Sequence, residues 1–307
     1  MSREQRAQID AMLRQSQPEG PPTVEAIRVR FAALMATMIV PDRLRTTPVT
    51  LGTRPALLVE PADGPRPGTI LYFHGGSNMF GSPETALSLT GNLVARTGLR
   101  ALSVDYRLAP EHPFPAGVED ALSAYRALLD RGEDPSAIAF AGDSAGGGHA
   151  VTTCLAARDA GLPVPAAIVA FSPGLDYTRT GASIDAKDGI DPILTRETLR
   201  YTGAMYLAGQ DPHQPLLSPA TLADLTGFPP LLLQAGTNEV LLDDSTRLAA
   251  RARAAGVDVI LDITADVPHV FQTYAGVLDE ADEALDRAAL FLTQRIRAAG
   301  GATASAE

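Results

Sequence analysis

Gly142-Asp143-Ser144-Ala145-Gly146 stands between an apolar run, IAFAG at 138–142, and a helical pattern over 145–160. A serine with glycines two residues to either side, on a sharp strand-to-helix turn, has the form of a nucleophile elbow. The turn holds the hydroxyl exposed, and the glycines relieve the crowding around it. The helix that follows aims its free N–H groups and the positive end of its dipole at the place where an oxyanion would develop. The pentapeptide alone would suit an ordinary glycine-rich turn. A strand before it and a helix after it give it the catalytic reading.

Outward from the elbow, short β-rich runs recur at 46–50, 55–60, 69–73 (TILYF), 100–105, 138–142, 166–171, 230–235 and 257–263. Several are apolar almost throughout, as strands covered on both faces must be. Helical patterns at 84–97, 116–130, 145–160, 244–256 and 279–298 separate the later ones. This alternation predicts an α/β fold with a mostly parallel eight-stranded sheet flanked by helices. The first two strands meet tightly around Gly52, which makes them an antiparallel edge. Residues 1–45, with the amphipathic stretch VEAIRVRFAALMATMI, precede the sheet. Residues 174–229, helical near 195–208, exceed what one crossover needs. The expected organisation is an N-terminal cap segment over 1–45, an α/β domain over 46–298 with a cap insertion at about 180–208, and a disordered tail over 299–307.

A second chemical signal ends strand 69–73: His74-Gly75-Gly76-Ser77. Glycines there let backbone N–H groups approach a carbonyl oxygen, so Gly75, Gly76 and Ser77, with the N–H of Ala145, are the candidate oxyanion hole. A serine hydroxyl also needs a base, and the chain order of serine, acid, histidine requires one late in the sequence. His269, in ADVPHVF after strand 257–263, meets that requirement. His213 reads as a surface residue, and His74, His112 and His149 as structural. The acid is sought after strand 230–235, in GTNEVLLDDS. Glu239 lies on the loop soon after the strand and can orient His269. Asp243 and Asp244 stand where a helix begins and read as caps of that helix, so Glu239 is preferred. Met79 and Phe80, beside the oxyanion loop, are read as apolar substrate contacts.

The chain has 307 residues, 45% of them hydrophobic, enough for a full core, and nothing in the composition suggests disorder. A net charge of −11 argues against nucleic acid or anionic membrane as partners. The single cysteine, Cys154, excludes an internal disulfide and any multi-cysteine metal site, and reads as a small buried hydrophobe. No metal site is expected. The polar N-terminal sequence lacks the apolar core of a signal peptide, and no apolar run approaches the roughly 20 residues of a membrane span. A cytoplasmic protein is the expectation. Strand 257–263, VDVILDI, reads as an apolar last strand and a candidate edge for a homodimer.

The motifs YFHGGSNMFGS at 72–82, VDYRLAPEHPFPAGVED at 104–120, GDSAGGG at 142–148 and PHVF at 268–271 together resemble the hormone-sensitive-lipase-like (family IV) bacterial esterases of the α/β-hydrolase superfamily. The resemblance spans nearly the whole chain, and DYRLAPEHPFPA is particularly specific to that family. It implies carboxylesterase activity on small, short-acyl esters through an acyl-enzyme, without cofactor, with Ser144 and His269 matching the family's nucleophile and base. Within DYRLAPEHPFPA, Arg107 and Glu111 read as a structural ion pair. The chain departs from the pattern at Ser77, where the family usually has glycine, and at Glu239, where most members carry aspartate. Gly174, in FSPGLD, stands where relatives often have a bulky residue, which would enlarge the acyl pocket. An acyltransferase or an amide or lactone hydrolase would use the same acyl-enzyme chemistry. A non-catalytic small-ligand-binding protein is the reading from another class. A plant hormone receptor shares this fold but lacks the histidine, which is present here as His269.

Overall fold

The computed structural model describes residues 2–15 and 23–296. Eight strands form one sheet: β1 (Leu44–Leu51), β2 (Arg54–Pro61), β3 (Thr69–Phe73), β4 (Arg100–Val104), β5 (Ile138–Asp143), β6 (Ala167–Phe171), β7 (Leu231–Asn238) and β8 (Val259–Pro268). Their order is β1-β2-β4-β3-β5-β6-β7-β8. β1 and β2 pair antiparallel, as the tight connection at Gly52 predicts, and so do β2 and β4. All other pairings are parallel. Among the described residues ten α-helices accompany the strands: α1 (Ser2–Gln15), α2 (Val24–Met35), α3 (Leu87–Thr97), α4 (Ala116–Asp130), α5 (Ala145–Asp159), α6 (Ser183–Ala186), α7 (Arg196–Leu207), α8 (Pro219–Leu222), α9 (Leu242–Ala254) and α10 (Asp279–Arg295). The expected tail at 299–307, and the end of the helix expected to reach 298, lie outside the described residues.

The continuous apolar runs have a simple cause. Along β3, Leu71 and Phe73 join the layer made with α4, α5 and α9, while Ile70 and Tyr72 join the layer made with α3 and α10. Successive residues of a strand point to opposite faces, so a strand covered on both faces has no polar position to spare. β3, β5 and β6 are accordingly buried along their whole length.

β7 and β8 run well past the expected ends at 235 and 263. Their pairing continues beyond the rest of the sheet, from Gly236 opposite Thr264, through an irregularity, to Asn238 opposite Pro268. The bulge takes up two extra residues on β8. Its consequence is positional: the residues that follow this last pair are Glu239 and His269, which the register sets side by side.

The segments outside the alternation dock over the same end. Ile9 and Leu13 of α1 pack with Val267, Phe271, Tyr274 and Leu278. From α2, Arg28 donates to Met79 O at 2.9 Å and to Ala109 O at 3.2 Å, and forms a two-pronged pair with Glu111 at 2.7 Å. This corrects the pairing expected within DYRLAPEHPFPA. Glu111 is taken by Arg28, while Arg107 grips the buried carboxylate of Asp120, its Nε lying 2.9 and 3.1 Å from the two oxygens. The motif thus fastens α2 and α4 to the loop after β4, and the two ends of the expected pair serve different partners. Between β6 and β7 the insertion carries α6, α7 and α8. Thr195 caps α7, accepting from Thr198 N at 3.1 Å, and Leu199 and Tyr206 of α7 are buried.

Candidate active site

Ser144 sits between β5 and α5 with φ 53° and ψ −119°, a conformation that residues with a Cβ seldom adopt. The surroundings hold it there. Its N–H donates to Phe171 O at 2.8 Å, and its carbonyl accepts from Gly148 N at 3.1 Å and Gly174 N at 3.0 Å. The two glycines of the elbow have a steric reason. A Cβ on Gly142 would lie 2.3 Å from Gly146 O, and one on Gly146 would lie 2.0 Å from Phe73 O. Only bare backbone allows β5, α5 and the end of β3 to meet so closely.

The hydroxyl of Ser144 is 2.9 Å from His269 Nε2, and His269 Nδ1 is 2.8 Å from Glu239 Oε2. Ser144 is partly exposed, whereas His269 and Glu239 are buried. Burial pushes the imidazole's pKa down, but the hydrogen bond and charge of Glu239 outweigh it, so His269 titrates above its ordinary value. Burial pushes the Glu239 carboxyl up, partly offset by the same hydrogen bond. The second oxygen of Glu239 accepts from Ser172 Oγ at 3.0 Å and from Gly236 N at 2.5 Å.

Asp243 and Asp244 lie away from the imidazole, and they are not the helix caps the sequence suggests. α9 starts at Leu242 without a side-chain cap. Asp243 Oδ2 accepts from Ser183 N at 2.9 Å, tying down α6. Asp244 Oδ2 accepts from Leu175 N at 2.7 Å and Asp176 N at 3.0 Å, holding the loop after β6. Desolvation pushes Asp244 up to about 7. Both aspartates anchor the insertion because the loops on either side of α9 bring backbone N–H groups to them. A linear reading places only the helix start within their reach.

The loop after β3 is a tight turn in which Gly76 O accepts from Met79 N at 2.9 Å and Phe80 N at 3.0 Å. Gly75 is a correction to the expected oxyanion donors. Its N–H donates to Asp143 Oδ1 at 3.1 Å and is therefore committed to the elbow. The N–H groups of Gly76, Ser77 and Ala145 have no hydrogen-bond acceptor among the described residues. Tyr72 OH donates to the same Asp143 oxygen at 2.8 Å. Burial raises Asp143 to about 6, while these two donors pull the other way. Ser77 adopts φ 54° despite its side chain, so the departure from glycine is accommodated by the turn.

The residues expected to contact substrate are rearranged. Met79 is wholly buried, clusters with Ala109, Phe114, Val118 and Leu217, and does not line the cleft beside Ser144. Phe80 turns to the cap side and meets Phe31 of α2 edge to face at 4.8 Å between ring centroids. The narrow cleft beside Ser144 is lined instead by Ala145, Gly148, Gly174, Asn78, Tyr177 and Tyr206, among others. Gly174 borders it, and a Cβ there would meet only Leu241, at 3.9 Å. Asn78 Nδ2 donates to Tyr177 OH at 2.6 Å and closes the far wall. Tyr177 and Tyr206 have no signature in the sequence, because they come from the insertion and no local pattern says which loop folds over the elbow.

Of the other histidines only His149 borders the cleft among the described residues. His74 is buried against Tyr106, and burial lowers its pKa to about 4. His149 is likewise buried, lowered to about 3, and its Nε2 is 2.7 Å from Asn78 Oδ1. His112 is exposed, and exposed His213 pairs with Asp211. No group of His, Cys, Asp and Glu suited to a metal ion occurs among the described residues, and no described helix is long and apolar enough to cross a membrane.

The sequence profile of a family described as having the alpha/beta hydrolase fold matches residues 70–273. An acetyl-hydrolase of Streptomyces hygroscopicus is 45% identical over 246 residues, covering 80% of this chain and 81% of that one. An esterase of Acinetobacter venetianus is 36% identical over 225 residues, covering 73% and 74%. Among solved structures, an esterase from the bacterial hormone-sensitive lipase family superposes with a TM-score of 0.92 at 39% identity, covering 96% of this chain and 99% of that one. The elbow, the doubly covered sheet and the extent of these matches converge: the chain belongs to the α/β-hydrolase family and, within it, to the hormone-sensitive-lipase-like esterases.

Proposed function

We propose that the protein hydrolyses small, short-acyl carboxylic esters through an acyl-enzyme on Ser144, with His269 as general base and Glu239 as the acid that orients it. The observation that carries this reading is the unbroken run of hydrogen bonds from Ser144 Oγ through His269 to a wholly buried Glu239. His269 accepts the hydroxyl proton as Ser144 attacks the ester carbonyl, and later gives it to the departing alcohol. The tetrahedral oxyanion is received by the N–H groups of Gly76, Ser77 and Ala145, the last at the positive end of α5. Water then attacks the acyl-enzyme with His269 again as base. α1, α2 and the insertion between β6 and β7 form the cap over this end of the sheet.

The acid can be tested by substitution. Glu239→Gln keeps the shape and removes the charge, and loss of the corresponding carboxylate in serine proteases costs about 10⁴ in kcat. Asp243→Asn and Asp244→Asn should stay within a few-fold of wild type, because their contacts go to backbone N–H groups of the insertion. The pattern reversed, with an aspartate variant inactive and Glu239→Gln active, would overturn the assignment. The pH profile adds a sign: neutral His269 is the base, so kcat/KM should fall as pH drops through a pKa above the ordinary value of about 6.5.

Acyl length follows from the cleft rather than from Met79 and Phe80. With a wall closed by Asn78, Tyr177 and Tyr206, aryl esters of two- to four-carbon acids should give the highest kcat/KM. A steady rise out to long-chain esters would rule this out.

We also propose a dimer through β8, the outer strand of the sheet, where Ile260 and Ile263 are exposed. Light scattering that finds only monomer at high micromolar concentration would remove it. A cytoplasmic location belongs to the same reading and is compatible with the unbridged Cys154; recovery of the protein outside the cell would contradict it.

A further inference from the structure

Ser172 follows β6, is wholly buried, and adopts φ 46°, in the left-handed region that a serine rarely takes. Its N–H donates to Gln234 O at 2.7 Å. Its hydroxyl touches both loops that carry the proposed acid and base. Oγ lies 3.0 Å from Glu239 Oε1, and Val270 N donates to Oγ at 3.0 Å.

We propose that Ser172 is a positioning residue of this site, holding the Glu239 carboxylate in the plane and charge state that His269 requires. The inference rests on the acid–base assignment above.

The direction of the hydrogen bonds is determined. Val270 N–H can only donate, so the Ser172 oxygen accepts there and its single proton is left for Glu239 Oε1. Gly236 N–H donates to that same oxygen. Oε1 therefore faces two donors and has no room for a proton of its own. On Oε2 one of the two lone pairs is taken by His269 Nδ1–H. The ionised form of Glu239 is thereby favoured against the burial that pushes its pKa up. The same hydroxyl pins the backbone immediately after His269, so the carboxylate and the imidazole are referenced to one atom. The unusual φ of Ser172 aims that atom, and it is over-determined by the Gln234 and Val270 hydrogen bonds.

The test is a set of three variants assayed on a short-chain aryl ester together with wild type. Ser172→Ala and Ser172→Gly both delete the hydroxyl, and glycine accepts φ 46° without strain. Ser172→Thr keeps a hydroxyl. With the donor gone, the ionised carboxylate is less stable, so the Glu239–His269 pair keeps a proton to higher pH. Both deletions are therefore expected to lower kcat about tenfold, as suits a hydrogen bond to a charged group, with KM changed much less. The acid limb of the kcat/KM profile should move to higher pH. Ser172→Thr, strained at φ 46° by its branched Cβ, should lower Tm but keep the acid limb at its wild-type position.

Two results would overturn the proposal. One is wild-type kcat and an unmoved acid limb in the alanine and glycine variants, even with a lowered Tm, which would make Ser172 merely structural. The other is full recovery by glycine alone, which would make backbone strain the whole effect. If Ser172→Ala fails to fold, the glycine variant decides by the same criteria. Failure of wild type to turn over the ester at all would instead refute the proposed function, so the two failures are distinguishable.

Discussion

A carboxylate sealed from water at the C-terminal end of the sheet sets the terms for everything near it. Burying a charge is costly unless each lone pair finds a donor. Around Glu239 the donors come from three separate stretches of chain: His269 after β8, Ser172 after β6 and Gly236 near the end of β7. The pairing of β7 with β8 past the rest of the sheet supplies the alignment, because Asn238 opposite Pro268 leaves Glu239 and His269 as the next residues on each loop. The insertion is fastened to the same place: Asp191 accepts from Val240 N at 2.9 Å and from Ile193 N and Leu194 N. A second buried carboxylate thus fixes the backbone next to Glu239, and its charge also helps raise His269.

The opposite wall of the site is organised by Asp143, the residue before Ser144. It accepts from Tyr72 OH and Gly75 N, so the elbow and the oxyanion loop share one carboxylate. This accounts for the division of labour along His74-Gly75-Gly76-Ser77. The first glycine's N–H is spent on holding the loop, and the next two N–H groups have no acceptor among the described residues. The Cβ that Gly75 lacks would stand 2.2 Å from Asp143 Oδ2, so glycine is required there for packing.

Much of this was legible in the sequence, and the reason is locality. The sheet, its antiparallel edge and the elbow follow from patterns within a few residues, and so does the placement of Glu239 and His269 on loops after neighbouring strands. What escaped depends on which distant segments meet. Arg107 and Glu111 are four residues apart, which suggested a mutual pair, but each found a partner brought by another helix. Asp243 and Asp244 sit at a helix start, yet tertiary N–H groups from 175, 176 and 183 claim them. Met79 and Phe80 were apolar and near the oxyanion loop, but the turn at Gly76 buries one and directs the other to α2. Ser172 carried no motif at all, since its importance lies wholly in the two loops it touches.

The central claim is that this geometry exists to make Ser144 a nucleophile. The most direct measurement is covalent trapping: treat the protein with an organophosphate ester, weigh the intact chain, and map the modified peptide. The account predicts one adduct per chain, on Ser144, with ester hydrolysis lost in proportion to labelling. An adduct on another residue with Ser144 unmodified, or full activity retained by a chain labelled at Ser144, would contradict it.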